Sequence, residues 1–117
     1  MSEKKIAKDP FDIFSESSTR HIKVKALKNA EVEIKNSLSI SEEHDIKLTT
    51  YRNQTVEGSS VVPNQADLYR AKIQTVSMLL VSPKKTLSEL GKLNGAGAVI
   101  EEIYESYLTH MDKQEGN

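Results

Sequence analysis

The sequence predicts an α+β domain: a short antiparallel β-ribbon followed by three or four packed α-helices. Three observations carry that expectation. Between residues 21 and 36 apolar and charged side chains alternate with a period of two. From Asn64 onward the apolar residues recur at spacings of three and four. With 117 residues, 37% of them hydrophobic, the chain can fill one modest core and not two. One domain over 21–113 is therefore expected, with a flexible leader at 1–20 and a frayed C-terminus at 114–117.

The leader has one sticky point. Both Phe residues of the chain, Phe11 and Phe14, stand in Asp9-Pro10-Phe11-Asp12-Ile13-Phe14, behind Lys4, Lys5 and Lys8. Apolar side chains gain free energy only when buried, so these two are expected to dock. The acceptor is either this domain's own core or a partner, a neighbouring copy included.

The ribbon follows. Ile22, Val24 and Ala26 alternate with Lys23 and Lys25, and Val32 and Ile34 with Glu31, Glu33 and Lys35. A two-residue loop at Lys28-Asn29 would set Val24 against Glu33 and mix the faces. A three-residue loop, Leu27-Lys28-Asn29, pairs Val24 with Val32 and Ile22 with Ile34, and sets Lys25 and Lys23 against Glu31 and Glu33. Longer loops of the same parity also keep the faces apart. Asn29 tolerates the left-handed conformation in which such loops end.

Ser39-Ile40-Ser41-Glu42 has capping-box spacing and predicts a helix over about 41–54. Ile46 to Tyr51 alternates like a strand and argues the other way. A loop is expected over Glu57 to Pro63. Asn64 should cap a helix running to about Val81, with Ala66, Tyr69, Ile73, Val76 and Leu80 inward and Leu68 and Leu79 widening the stripe. Thr86-Leu87-Ser88-Glu89 is a second capping box, opening a short helix with Leu87, Leu90 and Leu93 inward. Asn94-Gly95 should end it. The last helix is expected from about Ala96 to His110, with Ile100, Ile103, Tyr104, Tyr107 and Met111 on one side and Glu101, Glu102 and Glu105 solvated.

Composition narrows the chemistry. The absence of Cys removes disulfides, thiol nucleophiles and Cys-ligated metals. No apolar run approaches the ~20 residues of a membrane span, and no secretory signal is visible, so a soluble chain of a reducing compartment is expected. Sixteen basic and 17 acidic residues leave a net charge of -1, and Arg occurs only at 20, 52 and 70, which disfavours nucleic-acid binding. Gly95-Ala96-Gly97 lacks the strand and third glycine of a dinucleotide fingerprint. His21, His44 and His110 have no ligand spacing, and no Gly-x-Ser-x-Gly elbow occurs. Asn53-Gln54-Thr55 is formally a glycosylation sequon, without meaning in an unexported chain. The Asn94-Gly95 turn between helices mimics a helix-turn-helix, yet the following helix opens with Ala96, Gly97, Ala98, Glu101 and Glu102, which would repel phosphates. No catalytic residue, cofactor or metal ligand is assigned. The candidates that remain are protein-binding: Phe11 and Phe14 in the leader, and Tyr104, Tyr107, Leu108 and Met111 on the last helix, residue types favoured at interface cores. The same helix stripe has a second use, which is to close on the helix from Asn64.

The order of features resembles the tail assembly chaperones of long-tailed bacteriophages. The leader Asp9 to Phe14 precedes the ribbon His21 to Lys25 and Glu31 to Lys35. Leu38-Ser39 with following acids comes next, then an apolar helix, Val81-Ser82-Pro83-Lys84-Lys85-Thr86-Leu87-Ser88-Glu89-Leu90, and Ile100-Glu101-Glu102-Ile103-Tyr104. Asn29-Ala30 replaces the glycine common at the ribbon turn, and Asp45 to Val62 has no counterpart. The resemblance implies a non-enzymatic protein of the host cytoplasm, absent from the mature virion. Its implied partner is the tape measure protein, whose apolar stripes it shields before the tail tube protein polymerises around it; the tail tube protein and a second copy of this chain are further candidate partners. No nucleic acid, membrane or small-molecule substrate is expected. A small DNA-binding regulator and an adaptor subunit of a bacterial complex are the alternatives.

Overall fold

A computed structural model of the chain describes residues 9–14 and 18–115. The strands β1 (Thr19–Val24) and β2 (Ala30–Lys35) form the expected antiparallel ribbon, with Ile22 opposite Val32 and Lys23 opposite Glu31. The faces sort as the alternation requires, but the register differs by two from the three-residue loop. Val24 lies opposite Ala30, and five residues, 25–29, make the connection. The cause is remote in sequence. Glu102, on the last helix, accepts the backbone N–H groups of Lys25 and Ala26 at 2.6 and 3.0 Å. These residues open a 3-10 turn, Lys25–Leu27, after which Lys28 and Asn29 both take positive φ, 57° and 63°. Asn29 thus adopts the left-handed conformation anticipated for it. β1 also begins inside the expected 1–20 leader.

Helix α1 (Ile40–Thr50) starts at its capping box: Ser39 Oγ accepts from the Glu42 N–H at 3.1 Å, and the Glu42 carboxylate accepts from the Ser39 N–H at 2.9 Å. Burial works against the Glu42 carboxylate, yet the Ser39 N–H and the Lys35 ammonium, at 3.0 Å, hold its pKa below the usual range. The helix stops four residues short of the expected 54. Beyond it the buried Asp67 carboxylate accepts the Asn53 backbone N–H at 2.8 Å and its side-chain amide at 3.0 Å. The presumed loop is a small hairpin, β3 (Thr55–Glu57) with β4 (Ser60–Val62), turned at Gly58 with φ 63°. Glycine occupies the first turn position, where positive φ is needed.

Asn64 caps α2 (Gln65–Leu79), accepting from the Ala66 and Asp67 N–H groups. The helix ends before the expected Val81, because Leu80–Ser82 become β5 and pair antiparallel with β2 across a bulge. The sheet order is β1-β2-β5. The second capping box, Thr86 with Glu89, opens α3 (Leu87–Gly91) as expected. After Gly95, at φ 72°, α4 (Gly97–Glu115) carries the helix through Gln114 and Glu115, which were expected to fray; 116–117 lie outside the described residues.

The core joins sheet and helices. Val24, Val32, Ile34 and Leu80 meet Val76 and Leu79 of α2, Leu90 of α3, and Ile100, Ile103 and Tyr107 of α4. Ala66 and Tyr69, expected inward, are exposed, as is Leu93. Along its length α2 instead buries Asp67, Ala71 and Thr75 besides its core residues Val76 and Leu79, and it packs closely on α1. Two polar ties orient α4. Arg20 donates to the Ser106 carbonyl at 2.9 Å and to Asn36 at 2.8 Å, and Lys72 meets Glu101 at 2.9 Å while lying 5.2 Å from the Tyr104 ring centre. Glu101 and Glu105 are exposed, as expected, Glu101 while bonding Lys72; Glu102 is half-buried and a structural contact.

Ile34 is fully buried while Ile40 is 85% exposed. Ile34→Ala is expected to cost about 2–5 kcal/mol in denaturant melts and Ile40→Ala less than about 0.5. The Lys25 and Ala26 N–H groups hold the Glu102 pKa below the ordinary carboxylate value. Its contribution to stability is therefore complete above that value and lost as pH falls through the lowered one. Glu102→Gln should lower the melting temperature near pH 7, and the difference from wild type should close near pH 2.

Candidate functional site

Asp9 to Phe14 form a defined local structure. The Asp9 carboxylate accepts the Phe11 N–H at 2.9 Å, and the Asp9 carbonyl accepts the Asp12 N–H, folding Pro10–Phe14 into a 3-10 turn. Proline suits the start of such a turn because its φ is already set. No side chain of the turn is buried: Phe11 is 72% exposed, Ile13 78% and Phe14 77%. Of the two destinations open to the Phe pair, the domain's own core is not the one occupied. Sequence reasoning left Ile13 out, although it stands between the two rings and completes an apolar triplet.

The four candidates on α4 separate. Tyr107 is buried in the core, Tyr104 and Met111 pack partly against it, and Leu108 is 38% exposed at its edge. The alternative use of this stripe, closing the core, therefore accounts for Tyr107 and much of Tyr104. Both tyrosines also form part of the wall of one recess. A groove of about 290 Å³ runs between α1 and α4, lined by Leu38, Ile46, Thr75, Tyr104 and Tyr107, with Glu43 and Lys47 of α1 beside it. Burial pushes the Tyr107 hydroxyl pKa up, and the Glu43, Tyr104 and Glu42 groups push the same way. The hydroxyl is thus a neutral donor in an apolar recess with acids nearby. Leu38, Ile46 and Thr75 carry no local signal for this role, since they come together only when α1, α2 and α4 are set in place.

A second, polar groove of about 350 Å³ lies along the far side of α4, between Arg20, Glu105, Thr109, His110 and Lys113. Burial lowers the His110 pKa, with Arg20 and Lys113 adding to the effect. Charges of both signs line this groove and no single ligand charge fits it. Among the described residues no group of three or more His, Asp or Glu is placed to hold a metal ion. No helix there is long and apolar enough to cross a membrane.

No protein-family model, curated protein or solved structure matches the chain.

Because the turn lies outside the core, Phe11→Ala combined with Phe14→Ala is expected to move the melting temperature by less than about 2 °C. Differential scanning calorimetry of the purified double variant measures it, and a drop of several degrees would place the rings inside.

Proposed function

We propose that this chain is a non-enzymatic chaperone of the phage tail assembly type. In this reading it works in the host cytoplasm, holds apolar segments of the tape measure protein, and is released before the virion is complete. The observation that carries the reading is the Pro10–Phe14 turn, which presents Phe11, Ile13 and Phe14 to solvent from a hydrogen-bonded frame. Three large apolar side chains exposed on one turn outside the core are costly to leave wet and rewarding to cover. The order of ribbon, helix, capping-box step and terminal helix supports the same family.

The physical task suits a small weak binder. A long amphipathic helix exposes an apolar stripe that aggregates until it is enclosed, and shielding by many short contacts is reversible. The turn supplies such a contact: Phe rings offer apolar area at low conformational cost, and Ile13 widens the patch. Leu108 at the open edge of α4 extends the available apolar surface.

Co-expression with the cognate tape measure protein tests the reading. That protein should shift from the insoluble to the soluble fraction when this chain is present, and Phe11→Ala/Phe14→Ala should reverse most of the shift. Equal solubility with and without this chain would count against the assignment.

A further inference from the structure

The chain has one Asn-Gly step, Asn94-Gly95, and it lies in the connection from α3 to α4. The fold leaves that step unguarded. Both residues are exposed, and among the described residues no hydrogen bond engages the Asn94 side chain or the Gly95 N–H. The Leu93 N–H still reaches the Leu90 carbonyl at 3.2 Å, and backbone bonding resumes only where Val99 donates to Ala96 at 3.0 Å. Gly95 turns at φ 72°, with nothing within 4 Å of the position a Cβ would take. The other described asparagines are held. Asn36 accepts from Arg20 at 2.8 Å and donates to the Ser18 hydroxyl at 2.9 Å. Asn53 donates its side-chain amide to Asp67 at 3.0 Å, and Asn64 Oδ1 accepts the Ala66 N–H at 2.9 Å. Asn29 precedes Ala30, which is paired in β2 opposite Val24.

We propose that Asn94 is a site of spontaneous covalent modification, in which the Gly95 backbone nitrogen closes a succinimide ring on the Asn94 side chain. The Gly95 nitrogen gives up its proton and bonds to Cγ of Asn94. The Cγ–Nδ2 bond breaks, and the side-chain amide leaves as ammonia carrying that proton. Water then opens the ring on either side, with no oxidation or reduction. Breaking the bond to Cγ restores the main chain and leaves aspartate at this position. Breaking the bond to the backbone carbonyl carbon leaves isoaspartate, with the main chain running through Cβ. Glycine matters because a side chain after the asparagine would crowd the attacking nitrogen. The fold accepts the aspartate product: it stands just ahead of α4, whose first turn has no acidic residue to meet the positive end of the helix. The isoaspartate product lengthens the turn beside Leu93, Ala96 and Gly97, which with Tyr69 and Leu90 line a recess of about 140 Å³. The site lies outside the chaperone reading and does not rest on it.

Incubation of the purified full chain at mildly alkaline pH, followed by peptide mapping with mass spectrometry, tests the proposal. In the folded chain the peptide holding Asn94 should gain one mass unit at least about tenfold faster than those holding Asn29, Asn36, Asn53 or Asn64. Aspartate and isoaspartate products should separate as two peaks, and their rate of formation should rise with pH because attack needs the deprotonated amide. In urea Asn94 should convert within about tenfold of its folded rate, while Asn36 speeds up once its two bonds are lost. Gly95→Ala, also measured in urea so that folding plays no part, should slow conversion at Asn94 by about tenfold. A smaller lead over the other asparagines in the folded chain would overturn the proposal. Protection of Asn94 by the fold beyond the stated margin, or an undiminished rate in Gly95→Ala, would overturn it equally.

Discussion

The structure depends on β2 being bonded along both edges while its apolar face is covered. A two-stranded ribbon in water is marginal by itself. β2 escapes that limit because β5, arriving directly from the end of α2, pairs on the side opposite β1. Val32 and Ile34 then lie beneath helices whose Val76, Leu79 and Ile103 are almost completely enclosed. Each such side chain contributes about 1.5–3 kcal/mol relative to exposure. The two halves of the chain are therefore one cooperative unit: the ribbon lacks its third strand and its cover until the C-terminal helices fold onto it.

Polar contacts add orientation more than stability. The Lys72–Glu101 pair is near the surface, and pairs of that kind contribute about 0–1 kcal/mol. What it does is geometric, because the same ammonium rests over Tyr104 and keeps that ring beside the groove. Glu102 fixes the other end of the arrangement by gripping the 25–29 loop, and Arg20 ties the edge strand to the middle of α4 through the Ser106 carbonyl. Three side chains spaced along α2, α4 and β1 thus set the rotation of α4 about its axis. That rotation decides which tyrosine face meets the core and which meets α1.

The legible parts of the fold were those decided within a few residues. Both capping boxes formed where Ser39-Glu42 and Thr86-Glu89 predicted them, since a hydroxyl and a carboxylate three positions apart satisfy the first turn without outside help. The faces of the ribbon followed from its period, and the left-handed Asn29 from its side chain. The illegible parts were decided at a distance. The exact pairing of β1 with β2 answers to Glu102, 76 and 77 residues further on. The end of α1 answers to Asp67, and Leu80–Ser82 leave the helix because β2 offers them an edge. In the candidate site, Phe11 and Phe14 were visible as misplaced apolar residues in a polar leader. The groove was not, because Leu38, Ile46 and Thr75 are ordinary side chains until three helices bring them together.

The groove itself follows from the composition of α1. That helix has no apolar stripe: Thr49 is its buried residue, Ile46 is half-buried, and Ile40 and Leu48 face solvent. Its attachment is to α2, across small and polar side chains that include Thr49, Asp67, Ala71 and Thr75. The space between α1 and α4 stays open, with tyrosine on one wall. Cores normally fill such space, since unfilled volume forfeits dispersion contacts. Here an apolar recess stays open between α1 and α4 and an apolar turn stays exposed outside the core, so both leave contact energy for whatever covers them. For the chaperone reading proposed above, reversible binding asks for that balance: enough uncovered surface to bind, distributed in pieces small enough to let go.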